Sequence, residues 1–247
     1  MADSILSFNP TAEQLDEIKD WLIVENKNKE GFAGFYCNWK EIAGSFSQNE
    51  LAAILIDGKV IGFMTWWSSE KVANLQIGEI RPEYRRKGYG RILMEGVLDK
   101  LRLSGIMVAY LHCQPANAER AWRKVGFLRY PNVPYFEDHN DFEQGHHLYR
   151  ILVPHIMPGK SIEKGESISL WAVERYQADR FTPKWKWSLS FEQDTRKLIT
   201  PIIAPAYQKW NISWNVDGKA IKSDQVKYFA KDNLEFSGFL IMEYLAI

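Results

Sequence analysis

Seven consecutive residues, Arg85, Arg86, Lys87, Gly88, Tyr89, Gly90 and Arg91, set four cationic side chains around two glycines. An anion suits that combination. Ahead of it Leu75, Ile77 and Ile80 have the apolar character of a buried strand, which Pro82 ends because it has no N–H to donate. After Gly90 the apolar residues Ile92, Leu93, Val97, Leu101 and Leu103 recur at helical spacing. The turn therefore falls where a helix begins, with unpaired N–H groups and the positive end of the helix dipole, and a phosphate would satisfy both. Two common phosphate motifs are excluded on chemistry. No Gly-Lys-Ser or Gly-Lys-Thr follows, so a P-loop's lysine and magnesium hydroxyl are missing. Leu93 replaces the third glycine of a dinucleotide fingerprint, and Tyr110 and Leu111 stand where its ribose-binding carboxylate is needed.

The elements that position this turn follow from periodicity. A first strand is expected over 4–8, then a helix opened by a capping box of Thr11 and Gln14, with Leu15, Ile18, Trp21 and Leu22 on its apolar face. Phe32, Phe35, Tyr36, Trp39 and Ile42 keep the spacing of a second helix. Strands at 51–56 and 60–67 flank Asp57-Gly58, a hairpin signal. Beyond the turn and its helix come a strand over 106–112, a helix over 117–125 stopped by Gly126, and a strand over 147–153 reached through an acidic loop at 137–143. Pro154, Pro158 and Gly159 mark a boundary. The period then becomes two: Trp185, Trp187, Leu189 and Phe191 alternate with polar residues, and Ile212, Trp214 and Val216 lead into Asp217-Gly218. The expected division is a domain over 1–153, a linker over 154–166 and a β-rich module over 167–247.

Composition narrows the function classes. The 247 residues are 46% hydrophobic and 25% charged, as in folded globular proteins. Basic and acidic residues balance at 31 each, so no net field draws the protein to nucleic acid or to an anionic membrane. The first residues lack a signal-peptide pattern and no apolar run is long enough to span a bilayer, which makes a cytoplasmic location the expectation. Cys37 and Cys113 are too few for a disulfide framework. His139, His146 and His147 match no metal-ligand spacing, and no metal is expected.

The turn resembles the acetyl-CoA signature of the GNAT superfamily of N-acetyltransferases, Arg or Gln followed by x-x-G-x-G or A between a strand and a long helix. A second element of that family, Asn-Ala ahead of an aromatic, Lys, x, Gly-Phe, is similar to Asn117, Ala118, Trp122, Lys124, Gly126 and Phe127. The resemblance covers about 1–153; residues 160–247 resemble no family. It implies an α+β fold, a mixed and mainly antiparallel sheet flanked by helices, here followed by a small, mainly antiparallel β module.

It also implies roles. Acetyl-CoA would lay its pyrophosphate on the N–H groups of 86–91, with Arg85, Arg86, Lys87 and Arg91 adding charge and Gly88, Tyr89 and Gly90 forming the close approach. The pantetheine arm would pair near Glu79, Ile80 and Arg81, the Ile80 N–H would stabilise an oxyanion, and Asn117, Trp122 and Lys124 would flank the cofactor. An amine near pKa 10.4 must lose a proton before attack, and Glu79 is the candidate base. Two departures bear on catalysis: Asn74 stands where some relatives place a glutamate, which favours a water relay, and Trp122 where many place a thiolate-protonating tyrosine, leaving Tyr110 or Tyr130 as substitutes. Phe35, Trp39, Asp138 and Asp141 would line an acceptor site suited to a cationic amine.

The leading expectation is a direct N-acetyl transfer from acetyl-CoA to a primary amine, on a small molecule or peptide, with the β module shaping the acceptor site or mediating association, including a homodimer. The alternative is a catalytically impaired acyl-CoA-binding protein that serves as a platform for that module. A third class, a carbohydrate- or protein-binding β module, rests on Trp185, Trp187, Trp210 and Trp214.

Overall fold

The computed structural model describes residues 4–28, 35–114, 116–131, 146–159, 164–235 and 238–245. These fall into two compact units, one of 4–129 with 146–152 and one of 130–131 with 153–245. In the first, the strands are β1 (Ser4–Ser7), β2 (Leu51–Ile56), β3 (Lys59–Ser68), β4 (Val72–Ile80), β5 (Val108–Cys113), β6 (Leu128–Arg129) and β7 (His146–Ile151). The helices are α1 (Ala12–Asn28), α2 (Trp39–Ser47), α3 (Tyr89–Leu103) and α4 (Glu119–Lys124). One seven-stranded sheet runs in the order β1-β2-β3-β4-β5-β7-β6. All its pairs are antiparallel except β4 with β5, so the expected mixed, mainly antiparallel α+β sheet is what forms.

Local signals explain the framework. Thr11 and Gln14 exchange the two bonds of a capping box, at 3.0 and 3.3 Å, which starts α1. Asp57 and Gly58 both take positive φ, +48° and +77°, the type I′ geometry whose twist suits the β2–β3 hairpin. The helix expected over 117–125 is shorter: a 3-10 turn covers Ala116–Ala118 and α4 follows, with no side-chain cap at Ala118 to hold a wider first turn. Gly126, at φ +84°, stops it.

Helices cover both faces of the sheet, and β3 is consequently buried along most of its length instead of alternating. On one face Leu93, Val97, Leu98 and Leu101 of α3 pack on Ala52, Ile54, Met64, Trp66 and Leu111. On the other, Ile18, Trp21 and Leu22 of α1 and Ile42 of α2 pack on Leu55, Val60, Phe63 and Ile77. Each fully buried side chain of this kind contributes about 1.5–3 kcal/mol, so the helices are held by their apolar stripes.

The second unit contains β8 (Glu166–Glu174), β9 (Trp185–Ser188), β10 (Lys197–Pro205), β11 (Trp210–Val216), β12 (Lys219–Gln225), the short helix α5 (Val226–Phe229), β13 (Leu234–Glu235) and β14 (Phe239–Tyr244). They make two antiparallel sheets, β12-β11-β8-β9 and β10-β14-β13, whose apolar residues share one core. The strand expected to run through Phe191 ends at Ser188, where Leu189 donates instead to the Glu166 carbonyl. Trp187 and Trp210 are each 1% exposed, and Trp185 and Trp214 pack against the same core. These rings are structural, which removes the basis for reading them as a binding surface. Ile156 and Gly159 donate to the Pro201 and Lys186 carbonyls, so these residues of the proline-marked stretch run along this unit. Among the described residues no helix is long and apolar enough to cross a membrane, and no cluster of three or more His, Cys, Asp or Glu side chains is placed to hold a metal.

Close packing between β3 and β4 is tightest at Gly62, where an added Cβ would lie 2.3 Å from Ile80 Cδ1 and 2.8 Å from the Glu79 carbonyl oxygen. At Gly96 in α3 the closest atom is only the mobile end of Leu6, at 2.2 Å. Gly62→Ala is expected to destabilise the first unit by about 1–3 kcal/mol, while Gly96→Ala, which also gains helix propensity, stays within about 1 kcal/mol of the parent. Denaturant unfolding of the full chain measures both.

Candidate functional site

The site begins where two parallel strands part. β5 pairs with β4 only at Val72, Ala73 and Asn74, opposite Val108, Ala109 and Tyr110. Beyond that rung β4 continues to Ile80 with no strand paired on this side among the described residues. On its other side it stays paired with β3, and the Arg81 N–H donates to the Ile61 carbonyl at 2.9 Å. Bonded and non-bonded rungs alternate in an antiparallel pair, so the Gly62–Ile80 and Met64–Gly78 rungs are non-bonded and the N–H groups of Gly78 and Ile80 point away from β3. They face the edge that β5 has left.

Just past this edge lies the basic turn. Arg86 takes φ +61° and Gly88 φ +89°, the alternation of left-handed residues that aims successive N–H groups into a concavity. Gly88 caps α3, and a Cβ there would meet nothing within 4 Å, so its glycine serves the dihedral and not packing. Among the described residues, none of the N–H groups from Arg86 to Gly90 donates to a carbonyl; the first helical bonds are those of Arg91 and Ile92 to Gly88. Five donors at a helix start remain available to an anion. Tyr89 is buried, and a Cβ at Gly90 would meet Ile80 Cγ1 at 3.5 Å, which sets the turn beside the edge.

The cationic side chains divide. Arg86, Lys87 and Arg91 stay on the turn, Lys87 over the Tyr84 ring and Arg91 bonded to Glu95 at 2.8 Å. Arg81 and Arg85, expected at the cofactor, form ion pairs with carboxylates of α1 and β4, and Arg85 also caps the Ile80 carbonyl. Arg81 bonds Glu17 at 2.8 Å and lies over the Trp21 ring, 13% exposed. Arg85 donates to the Ile80 carbonyl at 2.7 Å and to Glu79 at 2.7 Å, and its Nη2 is 3.5 Å from Glu25. Glu79 is thus a buried, ion-paired carboxylate, 8% exposed, and not one presented freely as a base. No local signal pointed to Glu17 or Glu25, since nothing near them in sequence marks a partner some sixty residues away.

Asn74 acquires a role as well. Its side chain bonds the Tyr110 hydroxyl at the last paired rung, which offsets part of the rise that burial imposes on that phenol's pKa. Next on β5 and β7 come Tyr110 opposite Tyr149 and His112 opposite His147, the two imidazoles stacked at 4.8 Å. Burial, then the neighbouring His112, pushes His147 down to about 4. Cys113 is buried and its thiol is pushed up to about 11, first by burial and then by the charge of Glu119, so it stays protonated and cannot serve as an acyl-accepting nucleophile near neutral pH.

Trp122 packs edge-on against Phe127 at 5.1 Å and belongs to the core beneath α4. Asn117 and Lys124 line an open hollow of about 600 Å³ with Glu119, Arg120 and Arg123. Tyr130 belongs to the second unit, its hydroxyl donating to the Gly238 carbonyl and its ring packing on Phe239. Phe35 and Trp39 are partly buried against the α1–α2 core, on the same face as Glu25 and Glu79, and Lys19 lies over the Trp39 ring. Asp138 and Asp141 fall outside the described residues.

With this geometry in view, residues 15–127 match the family model described as Acetyltransferase (GNAT) family, and this segment is a domain of that family. Three solved structures illustrate the likeness. Ard1 from Thermoplasma volcanium is 18% identical, with a TM-score of 0.48 over 61% of this chain and 98% of its own. The ribosomal-protein-S18-alanine N-acetyltransferase of Escherichia coli is 18% identical, with a TM-score of 0.47 over 65% and 99%. The PaiA N-acetyltransferase from Thermoplasma acidophilum, solved with coenzyme A, is 15% identical, with a TM-score of 0.45 over 60% and 99%. No curated protein matches the sequence.

Two measurements follow. Removing the guanidinium that compensates Glu79 and Glu25 leaves buried carboxylates without their partner, so Arg85→Met is expected to cost about 2 kcal/mol in unfolding experiments, with part of the loss restored by adding Glu79→Gln. His147 titrates near 6.5 when unfolded but near 4 when folded. The unfolded chain therefore binds more protons in that interval, and the His147 contribution, complete above about pH 6.5, is lost as pH falls toward 4. His147→Gln should flatten the acid side of the stability curve by on the order of 1–2 kcal/mol between about pH 7 and 4.5.

Proposed function

We propose that the first unit transfers an acetyl group directly from acetyl-CoA to a primary amine. The observation that carries this reading is the open edge of β4, with the Gly78 and Ile80 N–H groups unclaimed by β5 and the five free donors of the Arg86–Gly90 turn beside it. An extended chain ending in a diphosphate fits that sequence of donors. Glycine at 88, with open space where a Cβ would stand, lets a phosphate approach the backbone, and Arg86, Lys87 and Arg91 add positive charge.

When bound, acetyl-CoA supplies an acetyl group activated as a thioester. The Ile80 N–H would donate to the thioester oxygen as negative charge builds on it. Arg85 holds the Ile80 carbonyl and the Arg81 N–H bonds Ile61, so the peptide that follows the Ile80 N–H is fixed in orientation before a substrate arrives. In the reaction the amine nitrogen forms a bond to the acetyl carbon, the carbon–sulfur bond breaks, and the amine's proton passes to solvent. With Glu79 ion-paired, water at the open edge beside Asn74 and Tyr110 is the assigned first proton acceptor. A thiol of pKa near 8.5 leaves adequately without a protonated partner, so Trp122 in its core position does not block the reaction. The protonated, buried Cys113 supports direct transfer over an acyl-enzyme.

Acetyl-CoA at about 100 times its dissociation constant should raise the stability of the parent by about 2.7 kcal/mol. Gly90→Asp should fold, because its Cβ meets Ile80 Cγ1 only at 3.5 Å, yet lose that gain through repulsion of the phosphates. Incubation with acetyl-CoA and amines, followed by free thiol release, tests the chemistry. A cofactor-dependent melting shift without thiol release from any amine would favour the alternative, an acyl-CoA-binding platform.

A further inference from the structure

Helix α4 gathers positive charge in a chain whose acidic and basic residues balance at 31 each. Arg120, Arg123 and Lys124 stand on its six residues and Arg129 follows on β6, against the single carboxylate of Glu119. That carboxylate is already taken. Arg129 holds it at 2.8 and 2.6 Å, and Arg123 and His146 lie 3.4 and 3.6 Å from it. Arg120 and Lys124 meet no carboxylate among the described residues, and like charges four positions apart on a helix repel each other. Both side chains are exposed, so an anion from solvent reaches them directly.

The sheet order decides which way they face. α4 follows β5, and β5 lies between β4 and β7. Ala118, Trp122 and Val125 turn one side of the helix into the core. Glu119 and Arg123 are about a third of a turn away and take the side of β6 and β7, where Arg129 and His146 stand. Asn117, Arg120 and Lys124, spaced three and four apart, are left on the remaining side, toward β4 and the start of α3. Because β4 and β5 are parallel, α3 and α4 begin at the same end of the sheet, and Tyr84, Tyr89, Ala118 and Trp122 share one cluster between them. A ligand in the crevice outside these strand ends touches both helices. The hollow lined by Asn117, Arg120 and Lys124 measures about 600 Å³, within the range of about 300–1,000 Å³ usual for small-molecule sites and far larger than a lone phosphate needs.

Building on the acetyl-CoA reading, we infer that Arg120 and Lys124 hold the phosphate monoester on the ribose of the coenzyme, and that the protein selects coenzyme A over dephospho-coenzyme A, which lacks only that group. The two kinds of phosphate meet two kinds of donor. The diphosphate has the backbone N–H groups of Arg86–Gly90, while the monoester, with about −1.5 to −2 charge near neutral pH, meets side-chain cations that no carboxylate neutralises. Asn117 adds an amide on the same stripe, and Arg123 remains with Glu119.

Calorimetry on the full chain, with coenzyme A and dephospho-coenzyme A at one fixed ionic strength, tests this without turnover. Coenzyme A should bind at least about tenfold more tightly, a difference of about 1.4 kcal/mol. The double substitution Arg120→Gln with Lys124→Gln should narrow the difference to less than about threefold by weakening coenzyme A alone, and each single substitution should give part of that loss. The unfolding midpoint without ligand should stay at the parent's value, since both side chains are exposed. Arg102→Gln, which removes an exposed cation near the far end of α3, should leave the difference intact. Equal binding of the two compounds by the parent, a difference that survives the double substitution, or one that Arg102→Gln erases as fully would overturn the inference and leave the acetyl-CoA reading standing. Binding of neither compound would overturn both. Selection of coenzyme A that depends on Arg120 and Lys124, with no thiol release from acetyl-CoA in the presence of amines, would sustain the inference and refute the transfer reading.

Discussion

Two parallel strands that separate after three paired residues leave backbone donors with nowhere to go, and the first unit is arranged around that separation. Buried peptide groups are almost always paired, because an unpaired one forfeits its hydration without return. Here the Gly78 and Ile80 N–H groups lose β5 as a neighbour, while the non-bonded rungs with Gly62 and Met64 turn them away from β3. An extended ligand is the natural complement. After a single 3-10 turn at Pro82–Tyr84 the chain reaches the Arg86–Gly90 donors, so two groups of unused N–H, one at the sheet edge and one at the helix start, follow each other.

Ion pairs between β4, the segment after it and α1 brace this edge. Arg85 holds the carbonyl of Ile80 and the carboxylates of Glu79 and Glu25 together, and Arg81 anchors to Glu17 and the Trp21 ring. Two residues that precede the phosphate-type turn are thereby tied to α1. Any change in how α1 sits is transmitted to the Ile80 peptide, which links the side expected to receive an acceptor with the side expected to receive the cofactor. Glu79 gains a structural role by this arrangement, and proton removal is left to groups on the open side.

The second unit solves a different problem. Its two sheets enclose Trp187 and Trp210, and a polar staple closes the margin: Arg196 makes a bidentate pair with Glu166 at 2.7 and 2.8 Å, Glu166 accepts the Trp214 indole N–H at 2.8 Å, and the guanidinium stacks over Phe191. Bidentate, charge-assisted bonds of this kind fix geometry as well as contributing energy. The tryptophans serve packing, and the indole N–H groups of Trp171 and Trp214 find acceptors in the Phe181 carbonyl and Glu166.

Much of the first unit was legible in the residues alone. The capping box at Thr11, the type I′ turns at Asp57-Gly58 and Asp217-Gly218, and the helix start after Gly88 depend on dihedral preferences and hydrogen bonds between residues a few positions apart, which local sequence specifies. The anion-binding turn was readable for the same reason. Which cations serve it was not. Arg81 and Glu17 are 64 positions apart, and Arg85 and Glu25 are 60, so only the packing of α1 on β4 decides that these guanidiniums leave the turn. Likewise Glu79 reads as an available base until Arg85 is seen beside it, and Glu25 carries no sequence signal at all. The sequence by itself determined where an anion would bind, because short-range backbone geometry builds that site; the tertiary structure decided where the charges go, because ion pairs form between whatever side chains the folded layers bring into reach.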